Sequence, residues 1–192
     1  MPMADNTFIL DIETVPVKLE GYFALPEEEQ KKLLNPIDSK VVAIGIRTGN
    51  GTTILMGEDE RKMLQDFWWE WRKVQSPVLQ VIGFNIANFD IPFLVTRSFI
   101  HNVPIVPFTL KSIIDLREKV NAYRHGPSRG TLKEFAGVMG IETDGTDGSD
   151  IARLWSEGNR DKIKEYLTTD LEITGQMYKR MRDTNILNIN RW

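Results

Sequence analysis

The sequence contains no cysteine and only two histidines among 192 residues. The absence of cysteine excludes disulfides, thiolate metal sites and a cysteine nucleophile, and it leaves the cellular compartment open. No apolar run approaches the roughly 20 residues that a membrane helix needs. The N-terminus lacks a basic segment followed by an apolar stretch of signal-peptide length. We therefore expect a cytoplasmic protein with no membrane partner.

A large charge excess is absent as well. Lys and Arg total 24 against 27 Asp and Glu, so the formal net charge is −3. Such a chain does not hold nucleic acid by bulk positive charge, and an acidic ligand would need positive charge placed locally at its binding site. The length suits one compact core, and we find no internal repeat and no long linker. We predict a single domain over residues 1–192.

Short apolar segments open the chain and are typical of strands. They cover residues 7–12, 40–46 and 52–56, with a polar, helix-like insert at residues 26–34. Asn50-Gly51 predicts a hairpin before the third segment. Helical composition and further strands then alternate, and the last part of the chain is helical, at residues 131–139, 151–156 and about 160–182. This order predicts an α/β fold with a mixed central β-sheet flanked by α-helices.

Two acids interrupt the end of the first apolar segment. Asp11 and Glu13 are two residues apart, so on a strand their side chains point to the same face. Two such carboxylates repel each other unless a proton or a cation lies between them, and a divalent metal satisfies both. The alternative is a frayed strand end with two solvated acids.

Two further acids occupy unusual places. Asp90 follows a turn out of the apolar segment 78–84 and precedes a helix with Pro92 in its first turn, so it is either a helix cap or part of a shared crevice. Tyr166 and Asp170 are four residues apart on one face of a predicted helix. An aspartate on an apolar stripe is costly unless it is paired or bound to a metal. The alternative is a half-buried tyrosine beside an edge aspartate.

Together the four carboxylates form a set of hard oxygen ligands that suits two divalent cations. Two cations about 3.5–4 Å apart can flank a phosphodiester and assist its in-line hydrolysis. The sequence therefore predicts a centre of two divalent cations.

Three segments in this order resemble the exonuclease motifs of the DEDD (DnaQ-like) superfamily. They are Leu10-Asp11-Ile12-Glu13-Thr14, Asn85-Ile86-Ala87-Asn88-Phe89-Asp90 and Tyr166-Leu167-Thr168-Thr169-Asp170. Residues 83–94 are especially similar to the second motif in the proofreading domain of family B DNA polymerases. The resemblance covers residues 8–178 without a polymerase domain, so the chain looks like a stand-alone 3′–5′ exonuclease.

The resemblance implies a ribonuclease-H-like fold with Asp11, Glu13, Asp90 and Asp170 as ligands for two Mg²⁺ or Mn²⁺ ions. It also implies that Tyr166 hydrogen-bonds the nucleophilic water, as in the tyrosine-type (DEDDy) subclass. Histidine-type members carry the histidine five residues before the last aspartate, where this chain has Glu165. We therefore expect the two histidines, His101 and His125, at the surface or in loops.

The implied activity is removal of nucleoside 5′-monophosphates from the 3′ end of single-stranded DNA. An exoribonuclease acting on RNA and a catalytically silent nucleic-acid-binding module are the alternatives. The motif positions of Thr14 and Asn85 imply contacts to the terminal nucleotides, and Phe89 either stacks on a base or belongs to the core.

The stretch from residue 119 to residue 133 contains several basic residues and no acid. They are Lys119, Arg124, Arg129 and Lys133, joined by His125. We predict that this loop, through Arg124 and Arg129 above all, contacts backbone phosphates, although a solvated loop explains the charges equally well. Of the aromatic run at residues 67–71, we expect Phe67, Trp68 and Trp71 to pack into the sheet and Trp69 to be the residue most open to exposure.

Overall fold

A computed structural model describes residues 7–74, 76, 78–124, 130–143, 145 and 147–190. Its strands are β1 (Thr7–Pro16), β2 (Ser39–Thr48), β3 (Gly51–Met56), β4 (Gln80–Gly83) and β5 (Ile113–Asp115). They form one mixed sheet in the order β3-β2-β1-β4-β5. The first three strands are an antiparallel meander, while β4 runs parallel to both β1 and β5. The predicted mixed α/β architecture is confirmed.

Seven α-helices flank the sheet in the part of the chain that the structure describes. They are α1 (Glu27–Lys32), α2 (Glu60–Val74), α3 (Asp90–Ile100), α4 (Leu116–Val120), α5 (Leu132–Met139), α6 (Ile151–Ser156) and α7 (Arg160–Asp183). None of the described helices combines the length and the apolar character needed to cross a bilayer. The helical segments predicted from composition all occur.

The central strand β1 supplies side chains to both faces of the sheet. Phe8 and Leu10 pack with the aromatic residues of α2 on one face. Ile9 packs with Leu171 of α7 on the other, and Val15 lies in a neighbouring cluster on the side of α6 and α7. Because successive side chains of a strand alternate, both faces of β1 are buried, and residues 8–10 form a continuous apolar run.

The aromatic run of α2 lies in the core. Phe67, Trp68 and Trp71 are buried, and the Trp68 indole Nε1 donates a hydrogen bond to Ser98 Oγ at 2.8 Å. Trp69 points outward and is 57% exposed. The run therefore anchors α2 to the sheet and to α3, as the spacing predicts.

His101 lies in the turn after α3, as expected of a surface or loop residue, but it is half-buried. It follows α3 directly, and its Nε2 lies 2.7 Å from Oε2 of the buried Glu60. Arg97 donates to both Glu60 oxygens, from Nε at 2.9 Å and from Nη2 at 2.6 Å. A shared carboxylate therefore ties α2 to α3 and recruits the histidine. His125 lies outside the described residues.

Candidate active site

Strand β1 carries Asp11 and Glu13 on the face that α7 covers. They follow Ile9 by two and four residues, and Ile9 packs against α7, so all three share a face. The strand continues to Pro16, and Glu13 is only 8% exposed. A frayed strand end with two solvated acids is therefore the wrong interpretation of this pair.

A glycine opposite Asp11 allows α7 to approach the sheet. Gly45 of β2 pairs with Asp11 in the antiparallel register. A Cβ atom at Gly45 would lie 2.8 Å from side-chain atoms of both Leu167 and Leu171. The missing side chain thus lets the buried residues of α7, including Asp170, lie close to the acids of β1.

Asp90 is the first residue of α3 and is 3% exposed. Its Oδ1 accepts a hydrogen bond from the backbone N–H of Ile12 at 3.0 Å. Ile12 lies between Asp11 and Glu13, so this bond fixes the start of α3 against the acidic end of β1. The cap position belongs to Phe89, which makes no side-chain cap bond.

Tyr166 and Asp170 are both buried on the inner face of α7. The Tyr166 ring belongs to the cluster that holds Val15 of β1 and Leu167. An edge position for this pair is therefore wrong, and α7 directs both side chains toward the sheet.

The acids act on each other electrostatically. Burial raises the pKa of Asp11 well above its usual value, and the charges of Asp90, Glu13 and Asp170 raise it further. Burial likewise raises the pKa of Glu13, with added contributions from Asp170 and Asp90. Burial also raises the pKa of Asp90 to about 7. The site therefore concentrates negative charge where the protein itself disfavours it.

The predicted pair of ions is not shown by this arrangement. Among the described residues, no group of three or more His, Asp or Glu side chains is placed so that it could hold a metal ion. The donor set nevertheless fits a hard divalent cation in kind, because buried carboxylates that repel one another are stabilised by positive charge. Asp11, Glu13, Asp90 and Asp170 are the residues that would hold Mg²⁺ or Mn²⁺.

A cavity of about 270 Å³ opens beside two of these acids. Its lining includes Asp11, Asp170, Asn85, Arg117, Thr131 and Leu132. The Arg117 guanidinium donates from Nη1 to Asn85 Oδ1 at 3.3 Å, so a cation and an amide line the same cavity as the acids. This combination suits a ligand that carries both negative charge and hydrogen-bonding groups.

Sequence reasoning missed Asp115, which organises the loop before Asp90. Its carboxylate accepts from the backbone N–H groups of Asn85 at 3.0 Å and Ala87 at 3.1 Å. It also caps α4 by accepting from the N–H groups of Arg117 and Glu118. Asn85 has a φ of 62°, and the bond to Asp115 helps hold that uncommon backbone conformation. The available signal was an aspartate at the end of a short apolar strand, directly before a helical segment.

The residues predicted to contact nucleic acid differ in burial. Thr14 is buried in β1, and Asn85 lines the cavity. Phe89 is half-buried and packs against the core, with its ring centroid 4.7 Å from that of Phe93. Arg124 is exposed, and Arg129 lies outside the described residues. Phe89 thus packs partly buried against the core, and its stacking contact with a base stays a prediction.

Two lysines of the predicted phosphate-binding loop have partners within the protein. Lys119 is buried, and its Nζ donates to the carbonyl of Leu187 at 3.0 Å and to that of Ile189. Lys133 forms an ion pair with Asp170. The predicted phosphate contact of this loop therefore does not extend to Lys119, which holds the C-terminal segment instead.

Comparisons with known proteins agree with this architecture. The model of the RNase_H superfamily matches residues 32–181, a span that begins after Asp11 and Glu13 and includes Asp90 and Asp170. An uncharacterized protein of Methanocaldococcus jannaschii is 36% identical over 165 residues, which cover 80% of this chain and 92% of that protein.

Two DNA polymerases resemble the chain over part of their length. A DNA polymerase of Archaeoglobus fulgidus is 27% identical over 165 residues, which cover 77% of this chain and 20% of the polymerase. The solved structure of the family B DNA polymerase from Pyrobaculum calidifontis matches with a TM-score of 0.69 at 17% identity, covering 94% of this chain and 25% of the polymerase. The chain thus spans about a quarter or less of these polymerases, and the structural likeness concerns the fold.

Proposed function

The chain belongs to the RNase_H superfamily, and from this membership we propose that it is a metal-dependent 3′–5′ exonuclease of the tyrosine type. The observation that carries the proposal is the set of acids brought from β1, α3 and α7. Asp11, Glu13 and Asp170 raise one another's electrostatic energy although they are as many as 159 residues apart. A fold without a cationic ligand has no evident use for such a buried cluster.

The four carboxylates have the role of cation ligands in this proposal. Divalent cations bound there would supply the Lewis acidity and the activated water that phosphodiester hydrolysis needs. The protein contributes the positions of the ligands: Asp90 is fixed through Ile12, and Asp170 through the packing of α7 against β1.

Tyr166 holds a proton at its phenol oxygen. Burial raises the pKa of Tyr166, and the charges of Glu13, Asp170 and Asp11 raise it further. The phenol therefore stays neutral at any working pH and acts as a hydrogen-bonding group that orients a water molecule, not as a general base.

Single-stranded DNA is the substrate that we propose. The cavity beside Asp11 and Asp170 offers a carboxylate side, an amide and a guanidinium, which match the phosphate and the polar edges of a terminal nucleotide. Two of the similar proteins are DNA polymerases, which favours DNA over RNA.

The test is a nuclease assay on the whole chain. Single-stranded DNA and RNA of the same sequence, labelled at the 5′ end, are incubated with Mn²⁺, with Mg²⁺ or with EDTA. We expect a ladder of DNA products that shortens from the 3′ end with either metal and no products with EDTA. Faster loss of RNA would assign the alternative substrate, and binding without products would favour the silent module.

The variants Asp11→Asn and Asp170→Asn should lower the rate at least about a hundredfold while retaining the fold, because each removes a ligand charge. Asp161→Asn is the matched control: Asp161 is exposed on the same helix as Asp170, so the same chemical change should leave the rate intact. Undiminished hydrolysis in either of the first two variants would contradict the site assignment.

A further inference from the structure

A lysine lies among the acids of the site. Lys133 Nζ is 2.5 Å from Asp170 Oδ1 and 4.5 Å from the centroid of the Tyr166 ring. The Lys133 side chain is 21% exposed, whereas that of Asp170 is 7% exposed. The charge of Lys133 also lowers the pKa of Glu13 and so opposes the effect of the acids there. The ammonium thus stands next to a proposed metal ligand.

The start of α5 places this lysine firmly. Thr131 caps the helix by accepting from Glu134 N–H at 3.2 Å, and Glu134 accepts from Thr131 N–H at 2.8 Å. Thr131 and Leu132 line the same cavity as Asp170. Phe135 and Met139, further along α5, pack against the cluster that contains Leu171 of α7. The backbone of Lys133 is therefore fixed relative to α7, while its long side chain keeps a route to solvent.

An ammonium and a divalent cation exclude each other at one carboxylate oxygen. Both carry positive charge, so they repel each other at the short separation that a shared carboxylate oxygen imposes, and a partly buried site screens this repulsion less than water does. One oxygen of Asp170 therefore cannot bind both cations closely at the same time. The ion pair also explains why Asp170 tolerates burial in the arrangement that the structure shows, since a buried charge needs a partner.

We propose that Lys133 is a positioning residue that acts through Asp170: it neutralises Asp170 in the metal-free protein and is displaced when a divalent cation binds there. The inference rests on the proposed metal-dependent function. It assigns to Lys133 the control of metal affinity and of the stability of the metal-free state. Removing the lysine charge should therefore raise the affinity for the metal and lower the stability of the metal-free protein.

The experiment compares Mn²⁺ binding by calorimetric titration in the whole wild-type chain and in Lys133→Met. Methionine keeps the length of the side chain and removes the charge. We expect Lys133→Met to bind Mn²⁺ on the order of tenfold more tightly, because the competing cation is gone. In EDTA the same variant should unfold at a lower temperature than wild type, and Mn²⁺ should raise its unfolding temperature by more than it raises that of wild type.

Two further variants separate charge from structure. Lys133→Arg retains the positive charge and should keep the wild-type affinity within about threefold. Lys164→Met removes the same charge from an exposed position on α7 and should also match wild type. Lys133→Gln, also uncharged, repeats the test with a polar side chain and should likewise tighten Mn²⁺ binding if Lys133→Met does not fold.

The outcomes distinguish this inference from the proposed function. If wild type binds Mn²⁺ and the uncharged variants bind it no more tightly than wild type does, the proposed role of Lys133 is overturned. The proposed metal-dependent function is not affected by that result. Failure of wild type and all folded variants to bind Mn²⁺ overturns the metal-dependent function, and the inference falls with it. A merely structural ion pair would lower the unfolding temperature equally with and without Mn²⁺.

Discussion

We propose that Tyr166 has two roles that depend on different parts of the side chain. Its ring packs in the cluster with Val15 and Leu167, while its hydroxyl lies in the field of the acids, whose charges contribute to its raised pKa. Removing only the oxygen therefore tests the second role without creating a large cavity.

Tyr166→Phe should lower the hydrolysis rate at least about tenfold, because the water then loses an orienting group. Mn²⁺ affinity should change little, since the phenol is not a ligand in the proposal. Single-turnover kinetics and calorimetric titration measure the two quantities. Tyr178→Phe is the control: its hydroxyl donates to Gln80 Oε1 at 2.9 Å, elsewhere on α7, and its loss should not affect the rate. An unchanged rate in Tyr166→Phe would remove the tyrosine from the mechanism.

At the scale of the elements, Asp115 links three segments of the chain. It is the last residue of β5, the cap of α4 and the acceptor for the loop that leads to Asp90. Because a buried carboxylate that accepts several N–H groups stabilises the backbone around it, this residue sets the loop conformation at the edge of the cavity.

Asp115→Asn should lower the free energy of unfolding by about 1.5–3 kcal/mol, because bonds to a charged acceptor become bonds to a neutral one. In the variant, one carboxylate oxygen is replaced by an amide NH₂ group. This group cannot accept the hydrogen bond that a backbone N–H donates to that oxygen in wild type. Urea denaturation measures the loss. Asp59→Asn makes the same change at an exposed carboxylate that accepts from Lys62 N–H, and it should cost a few tenths of a kcal/mol. Equal costs at the two positions would contradict the organising role of Asp115.

The tie between α2 and α3 depends on Glu60, and its contribution to stability depends on pH. Burial opposes its ionisation, but hydrogen bonds from Arg97, Val41 N–H and His101 lower the pKa of Glu60 below its ordinary value of 4.5. The unfolded chain therefore takes up this proton at higher pH than the folded chain does. The stabilisation is complete above about pH 4.5 and is lost as the pH falls toward the folded pKa.

Glu60→Gln should lower the free energy of unfolding at pH 7 by about 3–5 kcal/mol, since it leaves the buried Arg97 without its counter-charge. The difference between wild type and variant should shrink below about pH 4.5, which urea denaturation at pH 7 and at pH 4 would detect. Glu58, 69% exposed and paired with Arg160, is the control, and Glu58→Gln should cost less than about 1 kcal/mol. A pH-independent difference would show that charge is not the cause.

At the scale of the whole molecule, β1 joins the two faces of the core. Phe8 and Leu10 belong to the face of α2, whereas Ile9 belongs to the face of α7. Because β1 contributes core side chains to both faces of the sheet, displacing the strand disrupts the packing on both. We therefore propose that residues 1–192 form a single cooperative domain.

Thermal unfolding followed by far-UV and near-UV circular dichroism should give coincident transitions. Tryptophan fluorescence should follow the same curve, because Trp68 and Trp71 report on the face of α2 and Trp155 reports on the face of α6 and α7. Two separated transitions would contradict a single cooperative domain.

The local pattern of the sequence determines most of the elements. Alternation and apolar runs predict the strands, and Asn50-Gly51 predicts the hairpin that the structure places between β2 and β3. The fold class follows from the order of these segments. These features are accessible because they depend on neighbours within a few residues, where spacing alone decides which side chains share a face.

The site is only partly accessible in this way. The sequence singles out Asp11, Glu13, Asp90 and Asp170 by their positions, but their roles as metal ligands stay a prediction. Spacing does not reveal Asp115, which meets the loop of Asn85 from 30 residues away. The same holds for His101, which reaches Glu60 across 41 residues.

By itself, then, the sequence determined which segments become strands and helices and which acids stand in unusual positions. Only the tertiary structure decided that Lys133 pairs with Asp170 and that Lys119 holds the C-terminal carbonyls. Two lysines of one basic stretch thus have different structural partners. The physical reason is that a long, flexible cation takes whichever acceptor the packing of distant elements brings within its reach, and no local pattern encodes that distance.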